Sequence, residues 1–149
     1  MKKLTFVILT LLLTGCFWWG LMYEERIAGN YYLVAIDAKS DMFVSYKDGP
    51  SDSHSGITSL GVRAVWNNDR YIIVRKYQCL RDSTGNNTHD LNPDSIEFYI
   101  VDMENKDKSS YLGPYSEQKY KEEKKKLNIT EEIVFRELFP EEDKPKTTK

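Results

Sequence analysis

The side chains of this sequence that could carry nucleophilic or metal chemistry are two histidines, two cysteines and a cluster of serines. His54 and His89 lie in polar segments far apart in the sequence, so a metal site would have to bring them together with carboxylates. No Gly-x-Ser-x-Gly motif accompanies the serines around His54. The sequence therefore predicts no catalytic residue, no metal site and no cofactor, and both histidines are interpreted as solvated loop residues.

Residues 81–94, with the sequence RDSTGNNTHDLNPD, form the most polar internal segment. Only Leu91 is a large apolar side chain, and the segment is long for a connection inside a compact domain. We therefore predict an exposed loop. The spacing of its glycine and acidic residues departs from that of a calcium-binding loop. The candidate partner-contact residues in this segment are Asp82, Asn86, Asn87, His89 and Asp90.

The N-terminus has the features of a secretory leader. Two lysines precede an uncharged, mostly apolar run at residues 4–13. The last residue of this run begins the tetrapeptide Leu13-Thr14-Gly15-Cys16. This tetrapeptide resembles the lipobox of bacterial lipoproteins, which implies cleavage between Gly15 and Cys16 and attachment of a lipid to the Cys16 thiol. The alternative is an uncleaved membrane anchor, because residues 4–23 carry no charge and are just long enough to span a bilayer.

Composition and charge exclude several classes of protein. The 21 Lys and Arg residues against 23 Asp and Glu residues give a net charge of −2, whereas a general nucleic-acid binder usually has a basic excess. Hydrophobic residues make up 40% and charged residues 30% of the chain, which excludes a wholly disordered or multi-span membrane protein. Two cysteines cannot form a disulfide scaffold or a four-cysteine zinc site.

The length of 149 residues suits one domain. The segments that we assign are a signal peptide at 1–15, a membrane-proximal linker at 16–29, a single α+β domain at 30–139 and a disordered tail at 140–149.

An antiparallel sheet of about five strands, built from hairpins, is predicted for most of the domain. Alternation of aromatic and β-branched residues predicts strands at 31–37, 42–47, 61–66, 70–78 and 96–102, with a short closing strand at 110–112. Asn67-Asn68-Asp69 favours the turn of the middle hairpin. Cys79 follows the fourth strand and is predicted to be a buried, inert thiol.

Two short C-terminal helices are predicted after the sheet, which places the fold in the α+β class. Ser116 is a favourable N-cap for a helix that ends near Leu127 and docks through Tyr120 and Leu127. Thr130 repeats the capping pattern, so a second helix is predicted from Glu131 to about residue 138.

This layout resembles a family of small bacterial lipoproteins catalogued as a domain of unknown function. The residues that carry the resemblance are the leader ending at Cys16, the turn at 67–72, and the strand 99–102 followed by Gly113-Pro114-Tyr115-Ser116 at the start of a charged helix. The resemblance implies a lipid-anchored domain and provides no catalytic residue.

The function predicted from these features is that of a non-enzymatic, membrane-anchored binding or envelope-interaction module. It would face the periplasm or the cell exterior, attached through its N-terminal lipid, with a protein as its partner and no nucleic acid. Phe17 follows the cysteine where an Asp would favour the inner membrane, so the outer membrane is expected if the source has two. The alternatives are an immunity-type inhibitor of a toxin at the envelope and a small hydrolase, which would need a convergent polar pocket.

Overall fold

Two antiparallel sheets and one α-helix make up the part of the protein that the computed structural model describes, residues 23–49, 53–105 and 111–138. The predicted leader, its cleavage site at Gly15 and Cys16, and the predicted tail lie outside the described residues. The first sheet has the order β1-β2-β3-β4, with β1 at Tyr23–Ala28, β2 at Tyr31–Ala35, β3 at Phe43–Lys47 and β4 at His54–Gly56. The second has the order β8-β7-β6-β5-β9, with β5 at Val62–Asn67, β6 at Tyr71–Arg81, β7 at Asn87–Asp102, β8 at Tyr111–Tyr115 and β9 at Arg136–Glu137.

Strand β1 lies within the segment that the sequence assigns to a linker, and it was not predicted. Three of its six residues are charged, so the sequence lacks the hydrophobic run that would have predicted a strand. In the structure, exposed Glu24 and Arg26 alternate with more buried neighbours, which is the pattern of a half-buried edge strand. It pairs with β2 from Tyr23↔Ala35 onward. Strand β2 is shorter than predicted and ends before Ile36, whose side chain is 53% exposed.

The middle hairpin, β5 to β6, is confirmed. The Asn68 side-chain oxygen accepts hydrogen bonds from the backbone N–H groups of Arg70, at 2.9 Å, and Tyr71, at 2.6 Å. The asparagine side chain thus takes the place of a backbone carbonyl as acceptor within the turn. Because these bonds reach only two and three residues ahead, the turn can be predicted from the local sequence.

The predicted loop at 81–94 is wrong, because β6 and β7 continue through it as paired strands. Beyond Lys76 and Glu97 these two strands have no further partners among the described strands, so residues 78–92 form a two-stranded extension that we call the hairpin arm. Its tip is a turn at 82–86 with Gly85 at φ +87°. Residues 93–95 bulge out between the pairs Tyr77↔Ile96 and Gln78↔Asn92, which accommodates Pro93 in the strand.

The base of the hairpin arm packs against the connection between the two sheets. Leu91 covers Gly61, where a Cβ would lie 2.8 Å from Leu91 Cδ2 and 3.2 Å from the Tyr77 carbonyl oxygen. Gly61 also has φ +94°, a conformation that favours glycine. The arm is therefore anchored at its base on both strands.

The sheets face each other across the larger of two hydrophobic cores. The buried residues of this core are Tyr31, Leu33, Ala35, Met42, Val44 and Ile57 from the first half of the chain, and Val62, Val65, Ile72, Val74, Tyr99 and Val101 from the second sheet. The prediction of an α+β fold is confirmed at the level of class, but the single sheet of about five strands is replaced by nine described strands in two sheets.

The helix α1, Glu117–Lys126, covers the opposite face of the second sheet. Ser116 is its N-cap, as predicted, and accepts a hydrogen bond from Lys119 N at 3.3 Å. Tyr120 is buried and stacks on Phe98 with the ring centroids 4.5 Å apart, and Leu127 packs into the same core. The predicted docking residues of this helix are thus confirmed. No helix among the described residues meets the length and apolarity needed to cross a membrane.

The predicted second helix is wrong. Residues 132–135 are irregular and lead into β9, which pairs with β5. Ile133 and Phe135 pack into the core under α1, whereas Val134 between them is 72% exposed. This alternation has the period of extended chain, so burial of alternate side chains overrides the capping signal at Thr130.

Candidate functional site

A cavity of about 260 Å³ lies beside the base of the hairpin arm. Its lining is mostly polar and comes from five parts of the fold: the β4–β5 connection, β6, the arm, β7 and β8. The lining residues are Ser59, Lys76, Gln78, Cys79, Arg81, Glu97, Tyr99, Tyr111 and Pro114.

Lys76 is the buried charge of this cavity. It continues the buried face of β6 formed by Ile72 and Val74, so its side chain enters the end of the core between the sheets and is only 1% exposed. Glu97 lies directly opposite on β7, and its carboxylate oxygen is 3.2 Å from Lys76 Nζ. Cross-strand placement thus pairs the buried ammonium ion with a carboxylate.

Cys79 is buried, as predicted, and is a free thiol. Its sulfur lies 3.6 Å from the Leu60 carbonyl oxygen, 4.0 Å from Lys76 Nζ and 4.0 Å from Ser59 Oγ. The thiol donates to Leu60, and its lone pairs face the Lys76 ammonium ion. The residue therefore connects the cavity to the β4–β5 connection.

Tyr99 provides a neutral hydroxyl to the cavity lining. Burial, and secondarily the negative charge of Glu97, raises the pKa of Tyr99 to about 12, although a hydrogen bond with Ser59 acts in the opposite direction. The phenol is therefore protonated near neutral pH. Its ring centroid is 5.9 Å from Lys76 Nζ, within the range of a cation–π contact.

Ser59 is the cavity's hydroxyl from the β4–β5 connection. An activated serine needs a base within hydrogen-bond reach, but the described contacts of Ser59 are the neutral phenol of Tyr99 and the sulfur of Cys79. The Lys76 amine is bonded to Glu97. The polar groups converge, as a small hydrolase would require, and the described contacts do not pair Ser59 with a base.

The predicted partner-contact residues lie along the hairpin arm. Asp82 and Asn86 meet at its tip, where Asp82 Oδ1 accepts from Thr84 Oγ1 at 2.6 Å, Thr84 N at 2.8 Å and Asn86 N at 3.0 Å. Asp90 is exposed on β7, and its backbone N–H donates to Thr88 Oγ1 at 3.2 Å. Asn87 and His89 belong to β7, and their side chains lie outside what the structure describes.

The hydrogen bonds at the arm tip make a testable prediction for Asp82. The Thr84 hydroxyl, followed by the Asn86 N–H, holds the pKa of Asp82 below its usual value of about 3.9. A lowered folded-state pKa means that this stabilisation is complete above the unfolded-state value and is lost as the pH falls through the folded-state value. We expect carbon-detected NMR titration to give the low pKa, and Thr84→Val to raise it. The control Thr88→Val should leave it unchanged, and an equal rise in both variants would contradict the assignment.

His54 is not a solvated loop residue, so that interpretation is wrong. It lies in β4, where the residue is half-buried, and its Nδ1 is 2.8 Å from Ser45 Oγ. Its Nε2 is 3.5 Å from a Glu24 carboxylate oxygen, and its ring meets Tyr32 edge-on. The pairing of β4 with β3 buries this histidine. Across residues 23–49, 53–105 and 111–138, no cluster of three or more His, Cys, Asp or Glu side chains could hold a metal ion.

Sequence reasoning missed Lys76 and Glu97. One signal was available: Lys76 interrupts the apolar face Ile72, Val74 of the most hydrophobic strand, with the period-two spacing that predicts a buried position. Its partner could not be read from the sequence, because the register of β6 and β7 depends on the bulge at 93–95.

Comparison with known proteins gives one family. The family model described as "Protein of unknown function (DUF3997)" matches residues 28–139, from the end of β1 to beyond β9. No curated protein and no solved structure gives a significant match. Since the match covers well over half of the sequence, the chain belongs to the DUF3997 family of proteins of unknown function.

Proposed function

We propose that this protein is a lipid-anchored bacterial envelope protein whose folded domain is a non-enzymatic binding module. The anchor rests on the sequence Leu13-Thr14-Gly15-Cys16, in which every position fits a lipobox. The domain would face the periplasm or the cell exterior, and Phe17 after the cysteine favours the outer membrane of a two-membrane cell.

The start of the first sheet determines how far the domain extends from the membrane. Strand β1 begins at Tyr23, so seven chain steps separate it from Cys16. At 3.3–3.6 Å per residue the connection spans roughly 25 Å at most. A lipid on Cys16 would therefore hold the sheet within about one domain diameter of the bilayer, where a partner in the envelope is within reach.

The observation that carries the binding proposal is the hairpin arm. Its two strands extend beyond their neighbours, so its backbone and most of its described side chains face solvent. A two-stranded ribbon of polar residues buries little, and the hydrogen bonds of Asp82 hold its tip in one shape. A preformed, exposed tip is suited to contact with a protein because binding costs little ordering entropy.

The anchor is tested by the two cysteines of the chain. We expect metabolic labelling with a fatty-acid probe to label the natural protein and to fail for Cys16→Ala, which should also leave the membrane fraction. Cys79→Ala is the matched control and should keep both the label and the membrane association. A Cys16→Ala protein that still labels and still fractionates with membranes would support the spanning anchor instead.

The arm is tested by charge reversal away from its turn. In cross-linking and pull-down from envelope extract, Asp90→Arg should lose a partner that the natural protein captures. Glu122→Arg, on the exposed face of α1, should keep it. Equal capture by both variants would remove the arm from the interface, and a toxin as the captured protein would assign the immunity-type role.

A further inference from the structure

Within residues 23–49, 53–105 and 111–138, the hydrogen bonds of the Lys76 ammonium group reach one oxygen acceptor, the Glu97 carboxylate. An ammonium group carries three N–H donors. Glu97 takes one at 3.2 Å, and the Cys79 sulfur, at 4.0 Å, is a weak and distant acceptor. A buried ion pair is favourable only when its other donors are also bonded, and Lys76 borders the cavity, so a ligand there would lie beside the donors that Glu97 does not take.

Three further side chains of the lining also carry hydrogen-bond donors. The guanidinium of Arg81 and the hydroxyl of Tyr111 border the same cavity, together with the Gln78 amide. Tyr99 adds a protonated phenol. In the described part of the lining, two cationic side chains stand against one carboxylate, Glu97, which Lys76 already neutralises. The cavity is thus electropositive and rich in N–H and O–H groups.

We propose that this cavity binds a small ligand that carries an oxyanion, either a carboxylate or a phosphate, held between the Lys76 ammonium ion and the Arg81 guanidinium ion. Both cations form short, charge-assisted hydrogen bonds with such groups. The oxyanion would accept from Lys76 on the side opposite Glu97, so the ammonium ion would bridge two negatively charged oxygens.

The size of the cavity restricts the ligand. A volume of about 260 Å³ lies just below the range of roughly 300–1,000 Å³ that holds drug-sized molecules. The ligand is therefore a small metabolite or the acidic end of a larger molecule. This site is separate from the arm tip and does not depend on whether Cys16 carries a lipid.

The test is a titration of the full chain in detergent micelles with sodium acetate, with sodium phosphate, and with sodium chloride at equal ionic strength. We expect acetate or phosphate to shift the backbone amide NMR resonances of Gln78 and Cys79, which border the cavity and are kept in every variant, in a saturable way, while chloride does not. Saturation by one oxyanion and not the other identifies which class binds. Lys76→Met should weaken binding by about ten-fold or more, the value of one charged hydrogen bond.

Lys119→Met is the matched control, since Lys119 is a half-exposed lysine of α1 that does not line the cavity. It should bind like the natural protein. If Lys76→Met does not fold, Arg81→Gln and Tyr99→Phe take its place, and each should weaken saturable binding without unfolding the domain. The proposal is overturned if acetate, phosphate and chloride act alike, or if folded cavity variants bind as tightly as Lys119→Met.

Discussion

Replacing Ile73 by alanine is expected to lower the free energy of unfolding by ~2–5 kcal/mol, the usual cost of truncating a large core side chain. Ile73 is fully buried near the start of β6, in the core shared by the second sheet and α1. The lost methyl groups remove transfer free energy, and Phe98 and Tyr120, stacked on each other, are poorly able to collapse into the space. Urea unfolding followed by circular dichroism measures the change.

Ile36→Ala is the control for this prediction, because it makes the same substitution where the side chain is 53% exposed. It should change the free energy of unfolding by less than about 0.5 kcal/mol, as surface substitutions do. A similar loss in both variants would mean that backbone effects of alanine, and not burial of Ile73, account for the result.

The elements that could be predicted from the sequence are those with local causes. Asn68 bonds to backbone N–H groups within three residues, and Ser116 caps a helix whose first turn it touches. Strands β2, β6 and the second half of β7 are the most apolar segments of the domain and were placed correctly within a few residues. In each case the residues that stabilise the element belong to the same short stretch of sequence that predicts it.

The elements that could not be predicted depend on distant partners. The capping signal at Thr130 is real, but Ile133 and Phe135 reach the core under α1 only in extended chain. The hairpin arm has no buried face along most of its length, so it lacks the alternation by which strands are recognised. Composition alone could not separate a polar ribbon from a polar loop.

The candidate site was harder to predict than the fold. The candidate residues predicted from the sequence are the polar residues of segment 81–94, because that segment is predicted to be exposed. The cavity instead uses Lys76, whose only signal is its spacing after Ile72 and Val74, and Glu97, which looks like an ordinary surface charge of a half-buried sheet. Their importance follows from cross-strand register, which a bulge at 93–95 determines and the sequence does not display.

Removing the Glu97 carboxylate is the second change with a large expected effect. Glu97→Ala would leave the Lys76 ammonium ion buried without its oppositely charged partner. We expect a loss of roughly 2–4 kcal/mol in the free energy of unfolding, below the cost for a wholly buried pair because the Glu97 side chain is 19% exposed. Urea unfolding at neutral pH is the measurement.

The double variant Lys76→Met with Glu97→Leu separates the cost of an unpaired charge from the cost of lost packing. It removes both charges while keeping apolar bulk, so it should be more stable than Glu97→Ala alone. Glu104→Ala is the surface control, since Glu104 is 67% exposed and its ion pair with Arg70 should contribute at most ~1 kcal/mol. If the double variant is as unstable as Glu97→Ala, the loss does not come from an unpaired charge, because the double variant has no ammonium ion at position 76. The contribution of the Lys76–Glu97 pair would then lie in the packing of the two side chains, and the electrostatic reason given for the effect of Glu97→Ala would be contradicted.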